Sequence, residues 1–212
     1  MKKTRKILLM AACAVLLVCI SVGATVAYLT STDQVKNTFT VGKVAIKLDE
    51  APVDANGTKV EGARVKANSY KLLPGHTYNK DPMVTVLKDS EPAYIKMTVT
   101  FDKADKLDAI FAPTGAELTS IFNGYDAANW LYKGNTENTT AKTRTYEFWY
   151  KEAVGAPTAD VALDALFNSI TVPGDITADQ LKTIEGMTIT VNAYAIQKDG
   201  FADAATAWAA YK

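Results

Sequence analysis

From Ala93 to Phe101 the side chains alternate without a break. Ile95, Met97, Val99 and Phe101 fall on one parity; Tyr94, Lys96, Thr98 and Thr100 fall on the other. A period of two puts one set in a core and the other in solvent, as in an antiparallel strand covered on one side. Met187, Ile189, Val191, Ala193 and Ala195, with Thr188, Thr190, Asn192 and Tyr194 opposite, repeat the pattern near the end of the chain. Thr, Val, Tyr and Phe recur elsewhere in short alternating runs, a composition that suits a pleated, half-buried surface. The chain therefore reads as mainly β: seven or eight short strands with turn clusters between them, arranged as a two-sheet sandwich with a few short helices.

Outside those two stretches the pattern changes several times. Phe39 and Val41 share one parity, and Val44, Ile46 and Leu48 share the other, a one-residue slip at Gly42-Lys43. It reads either as a β-bulge within one long strand or as two short strands joined by a bend. Asp49 to Asn68, with Pro52, Asp54-Ala55-Asn56-Gly57 and Gly62, has turn chemistry around at most one weak strand near Val60 to Val65, and predicts a hairpin tip or surface loop. Leu72-Leu73-Pro74-Gly75 and Asp81-Pro82 mark further turns, and Met83 to Leu87 is apolar enough for a buried strand.

Leu107, Ile110 and Phe111, then Leu118, Ile121 and Phe122, recur at helical spacing around Pro113-Thr114-Gly115, so two short helices are expected. Trp130 to Tyr132 and Tyr146 to Tyr150 should pair as a hairpin whose long tip is the polar tract Lys133 to Thr143. Asp160 to Phe167 suggests a helical turn, and Ser169 to Val172 a strand closed by Pro173-Gly174. Thr177 and Gln180 have capping-box spacing for a helix that ends at Gly186. Phe201, Ala204, Ala205, Trp208 and Tyr211 form a final apolar helical stripe.

The N-terminus has a different character. Lys2, Lys3, Arg5 and Lys6 precede an apolar run from Ile7 to Ile20 and then the small-residue stretch Ser21 to Ala27. A cationic end, an apolar core and small residues at a cut site make up a secretory signal helix over residues 1–27. Thr25 and Ala27 place the cut before Tyr28, with a second possible cut before Thr25. The competing reading is an uncleaved anchor, because no charged residue lies between Lys6 and Asp33. A mature chain of residues 28–212 would hold an N-terminal segment and first strand over 28–48, and a single sandwich domain over 38–212.

Removing the signal takes away four basic residues, leaving 19 Lys and Arg against 23 Asp and Glu. An acidic balance of that kind argues against nucleic acid as a partner. Cys13 and Cys19 both lie in the apolar run, so a mature chain has neither disulfides nor thiol catalysis. His76 is the only histidine, which excludes the zinc-protease pair of helical histidines, and no Gly-x-Ser-x-Gly elbow occurs. His76 follows a Pro-Gly turn and reads as a turn residue. Asp54 to Gly57 lacks the spacing of a calcium loop. Asn138-Thr139-Thr140 matches a glycosylation acceptor but reads equally as a polar loop. Trp130 and Trp149 are candidates for a carbohydrate platform, because flat rings with polar tips stack on sugars. Parity sets Trp149 opposite Tyr146, Phe148 and Tyr150, so one of those faces is wetter or meets a partner. No catalytic, cofactor or metal residues emerge.

Several of these pieces, in their order, resemble one family. The basic start, Gly23 to Thr30, and Asn37-Thr38-Phe39-Thr40-Val41-Gly42 are similar to the signal and first strand of proteins processed by the signal peptidase SipW, the TasA and camelysin group. Leu73-Pro74-Gly75, Lys80-Asp81-Pro82, Ala93-Tyr94-Ile95-Lys96 and Ala193 to Phe201 continue the likeness.

The resemblance implies a secreted protein of the extracellular matrix or cell surface, with a jelly-roll sandwich, that polymerises into biofilm fibres. Its partners would be a SipW-type peptidase and other copies of itself, head-to-tail, or related matrix proteins. The membrane would be met only through the signal. On this chain the implied donor strand is Tyr28 to Phe39, with Tyr28, Leu29, Val35 and Phe39 as docking side chains. Camelysins are described as metallopeptidases, yet no metal site can be named here. The Asp49 to Asn68 loop and the aromatic hairpin depart from TasA, which leaves a non-polymerising accessory or adhesive surface protein as the alternative.

Overall fold

A computed structural model describes residues 3–8, 10–14, 41–111 and 120–211. The chain divides into two units, residues 1–41 and 42–212. In the first, residues 3–8 and 10–14 are helical and exposed. Among the described residues no helix is long and apolar enough to cross a membrane. The expected cut site at Thr25, Ala27 and Tyr28, and the expected donor residues Tyr28, Leu29, Val35 and Phe39, lie outside the described residues.

The second unit is mainly β, with three antiparallel sheets and a few short helices among the described residues. The largest sheet runs β5 (Trp130–Asn138), β6 (Thr143–Tyr150), β4 (Ala93–Phe101) and β9 (Ile189–Gln197) in that spatial order. Both long alternating stretches of the sequence are in it, paired to each other in the register Ala93↔Gln197 through Phe101↔Ile189. A second sheet has the order β1 (Ile46–Asp49), β3 (Met83–Val86), β7 (Val161–Ala162), and a third pairs β2 (Thr77–Asn79) with β8 (Ser169–Thr171).

One core joins these ladders. Val84 and Val86 of β3, Ile95, Met97, Val99 and Phe101 of β4, Tyr146 and Phe148 of β6, Ile170 of β8, and Leu107, Ile110 and Phe111 of helix α1 (Ala104–Phe111) are buried together. Phe122 is its aromatic hub, with ring centroids 4.7 Å from Phe167, 5.2 Å from Tyr146, 5.8 Å from Phe148 and 5.9 Å from Phe101. Burying each such ring contributes about 1.5–3 kcal/mol, so the hub matters out of proportion to its size. Helix α2 (Ala178–Thr183) starts at the expected capping box. The Thr177 hydroxyl accepts from Gln180 N–H at 3.2 Å, and the Gln180 side chain accepts from Thr177 N–H at 2.8 Å. Helix α3 (Ala204–Ala210) is capped in the same manner by Asp203 and Thr206, and lies on the outer face of the large sheet in a separate small cluster with Tyr94.

Four expectations need correcting, each because of a distant partner. The β1 ladder begins at Ile46, so the slip at Gly42-Lys43 is not a bulge in a long strand; residues 41–45 only track the chain after β3, with Ala45 and Lys43 carbonyls accepting from Leu87 and Glu91 amides. Asp81-Pro82 is no turn but a buried lead into β3. Asp160 to Phe167 holds strand β7 instead of a helical turn, because Val161 pairs with Val86. The tract Lys133 to Asn138 is strand, and the hairpin tip shrinks to residues 139–142, because this polar run continues the ladder opposite Thr143 to Glu147.

Candidate functional site

Beside β4, the inward face of β9 is incompletely covered. Val99 and Phe101 have no exposure, yet their register partners Val191 and Ile189 are only half-buried. β9 ends its sheet and β1 ends the other, so two edge strands approach here with no strand between them among the described residues. The result is a cleft of about 1130 Å³. Leu48 of β1, Ile189 and Val191 of β9, Leu181 of α2, Met187 and the Val65 to Leu72 stretch of the loop line it. Edge strands carry a row of backbone groups ready to pair with another chain, and here the row borders an apolar trough.

The far wall is the Asp49 to Asn68 loop, which folds back as a hairpin through the bridges Glu50↔Val65 and Val53↔Lys59. Charge holds it. Arg64 Nε donates to Asp49 Oδ1 at 2.6 Å, and its Nη2 donates to the carbonyls of Asp81 at 2.7 Å and Asp49 at 3.0 Å. Lys47 Nζ stands 2.6 Å from Asp49 Oδ2 as an ion pair. Asp81 accepts from Ala51 N–H at 2.7 Å and from Lys59 Nζ at 2.8 Å. Asn68 clips the loop's base, donating to Ala51 O and accepting from Val53 N–H.

Burial pushes the Asp49 carboxyl up, but hydrogen bonds and charge from Lys47 and Arg64 outweigh it and hold the group below the usual carboxylate range. At Asp81 burial is likewise outweighed, by the Ala51 amide, Lys59 and Arg64. A buried pair adds to this at the cleft itself: Lys80 Nζ donates to both Glu50 oxygens, at 2.9 and 3.2 Å. Burial, then the Glu50 charge, raises the Tyr70 phenol, which donates to Asn79 O at 3.1 Å. The cleft is thus apolar along β9 and charged at the β1 end.

The turn at the α2 end is also tied down. Thr188 N–H and Oγ1 donate to the two oxygens of Asp102 at 2.9 and 2.7 Å, and Lys103 Nζ donates to Glu185 O. Among the described residues no three His, Cys, Asp or Glu side chains gather as a metal site requires. His76 sits at its Pro-Gly turn, with Nε2–H donating to Asn56 O at 2.7 Å. Trp130 is core, its Nε1–H donating to Asp164 O at 3.1 Å, whereas Trp149 is half-buried on the outer face of the large sheet.

Comparison with protein-family models, with curated proteins and with solved structures gives no match. The cleft itself was not legible in the sequence. Val191 and Ile189 read there as ordinary core positions, and the sole sign of openness, that β9 is an edge, depends on strand order.

Proposed function

We propose that this protein is a secreted structural subunit of an extracellular matrix, assembling head-to-tail by strand donation after its signal is cut by a SipW-type peptidase. The observation that carries the reading is the apolar cleft between the edges of β1 and β9. An extended segment laid along such an edge satisfies a row of backbone groups while alternate side chains fill the trough, and repeating that contact gives a filament. The chain supplies a suitable segment in Tyr28 to Phe39, where Tyr28, Leu29, Val35 and Phe39 are the apolar side chains to dock. Donation to a neighbouring copy needs that segment free, which makes removal of residues 1–27 the licensing step.

A jelly-roll arrangement belongs to the same reading. It is supported by the way β1-β3-β7 and β2-β8 share one core with the four-stranded sheet. The role is structural, with no cofactor and no catalytic residue assigned.

The test mixes two forms of the protein beginning at Tyr28, one carrying Val191→Cys and one carrying Val35→Cys, both free of other thiols. Oxidation should yield a disulfide between the two forms, and deleting residues 28–36 should leave a folded monomer that no longer polymerises. Filaments of normal yield from that deletion would end the proposal.

A further inference from the structure

On the outer face of the large sheet the register sets Leu131, Trp149, Lys96 and Tyr194 in one row across the four strands. Helix α3 covers one end of the row. There Lys96 Nζ lies 4.6 Å from the Trp208 ring centroid and within 5.5 Å of those of Tyr194 and Tyr211, and also 3.7 Å from Glu147 Oε2. That cation is fully used in holding the helix.

The other end of the row is open. Leu131 is 46% exposed, and Trp149 is half-buried with its orientation fixed: Nε1–H donates to Glu147 Oε1 at 2.6 Å, and Trp208 abuts it at 6.4 Å between centroids. Over the ring, 4.4 Å from its centroid, stands Lys133 Nζ. Lys133 is exposed and, among the described residues, belongs to no ion pair. It occupies this position because of a β-bulge, where Lys133 and Gly134 together face Glu147 and Gly134 takes φ +120°. Bulges leave one residue unpaired and re-aim its side chain, and this one sets an ammonium on an indole face.

The next rows carry hydroxyls and amides around one carboxylate, Glu147, which sits beside Thr98 and is held by Trp149 and Lys96. Thr98 neighbours Asn192, and beyond them Thr136, Thr145, Thr100 and Thr190 form a row, with Thr100 and Thr145 hydroxyls 2.9 Å apart. An oriented indole suits the apolar face of a pyranose, a field of hydroxyl and amide groups suits its hydroxyls, and a lone ammonium beside the ring suits a carboxylate. We infer that this face binds a carboxylated polysaccharide: the exposed Lys133 swings off the Trp149 ring to pair with a carboxylate, and a sugar ring stacks in the place its ammonium leaves. The site lies on the opposite face of the sheet from the cleft, so it stands whether or not the chain polymerises.

Affinity electrophoresis of the full chain tests it, in gels containing polygalacturonate, carboxymethylcellulose or hyaluronan, with hydroxyethylcellulose as the uncharged comparison. Retardation is expected in at least one carboxylated gel. Trp149→Ala should weaken it about tenfold, the loss of one stacking contact. Lys133→Gln should weaken it about threefold, an effect that disappears near 1 M salt. Trp149→Tyr, which keeps a ring, should retain part of the affinity, and urea midpoints of all variants separate lost binding from lost folding. Retardation in none of the three carboxylated gels, or a folded Trp149→Ala that binds like the parent, overturns the inference. Equal retardation in hydroxyethylcellulose with no effect of Lys133→Gln overturns the carboxylate assignment.

Discussion

Arg64 reaches back 15 residues to bond Asp49 at 2.6 Å, and the same guanidinium spans to Asp81. One side chain thereby joins the end of β1, the lead into β3 and the loop that walls the cleft. Removing it strands Asp49, whose side chain is 1% exposed, with only Lys47 for company. Uncompensated buried charges are costly, so Arg64→Ala should lower stability by about 3 kcal/mol in urea unfolding. Arg64→Lys, which keeps the charge but loses the fork, should recover only part of that. A loss under about 0.5 kcal/mol, the range of an ordinary surface change, would show that the loop is held by its backbone bridges instead.

The same two carboxylates set an acid limit. Asp49 and Asp81 titrate below their unfolded value of about 3.9, so their contribution is fully present above that pH and is lost as pH falls through the folded values. The urea midpoint should be flat from pH 7 to about 5 with respect to these groups and fall steeply below about 4. In the double variant Asp49→Asn/Asp81→Asn that acid slope should be shallower, although the variant starts less stable at pH 7.

Phe122 touches four other rings at the centre of the core. Phe122→Ala leaves a cavity that the surrounding aromatic rings fill poorly, and a cost of about 3–5 kcal/mol is expected by thermal or urea unfolding. Phe122→Leu should cost clearly less.

On β9, Val191→Glu places a charge in the trough while disturbing only a half-buried site. Sedimentation velocity on the form beginning at Tyr28 should show monomer where the parent polymerises, with a urea midpoint close to the parent's. A polymer of normal size from this variant would move the docking edge elsewhere.

Elements whose signal is local were legible in the sequence. Strands β4 and β9 announced themselves by unbroken alternation, and α2 by the Thr177 and Gln180 spacing, because pleat and cap depend on residues next to one another. What escaped depends on distant partners. Lys133 to Asn138 is as polar as a loop and becomes strand only opposite Thr143 to Glu147; Val161-Ala162 becomes strand only beside Thr85 and Val86. The ion network is assembled from positions 47, 49, 59, 64 and 81, none of which is unusual alone. Parity separates Trp149 from Tyr146, Phe148 and Tyr150 but leaves open which face is outward, and nothing local in the sequence marks the bulge that lays Lys133 across the ring.

The three tryptophans are divided between two hydrophobic compartments, Trp130 in the main core, Trp208 on the buried face of α3, and Trp149 packed against that second cluster. This gives the protein built-in optical addresses. Emission from a variant that keeps only Trp130 follows the fate of the interior, while one that keeps only Trp208 follows the docking of the C-terminal helix. Because that helix is fastened to the sheet's outer skin and not to the core, the two signals have separate physical origins, and any difference between their transitions measures how tightly the two layers of the fold are coupled.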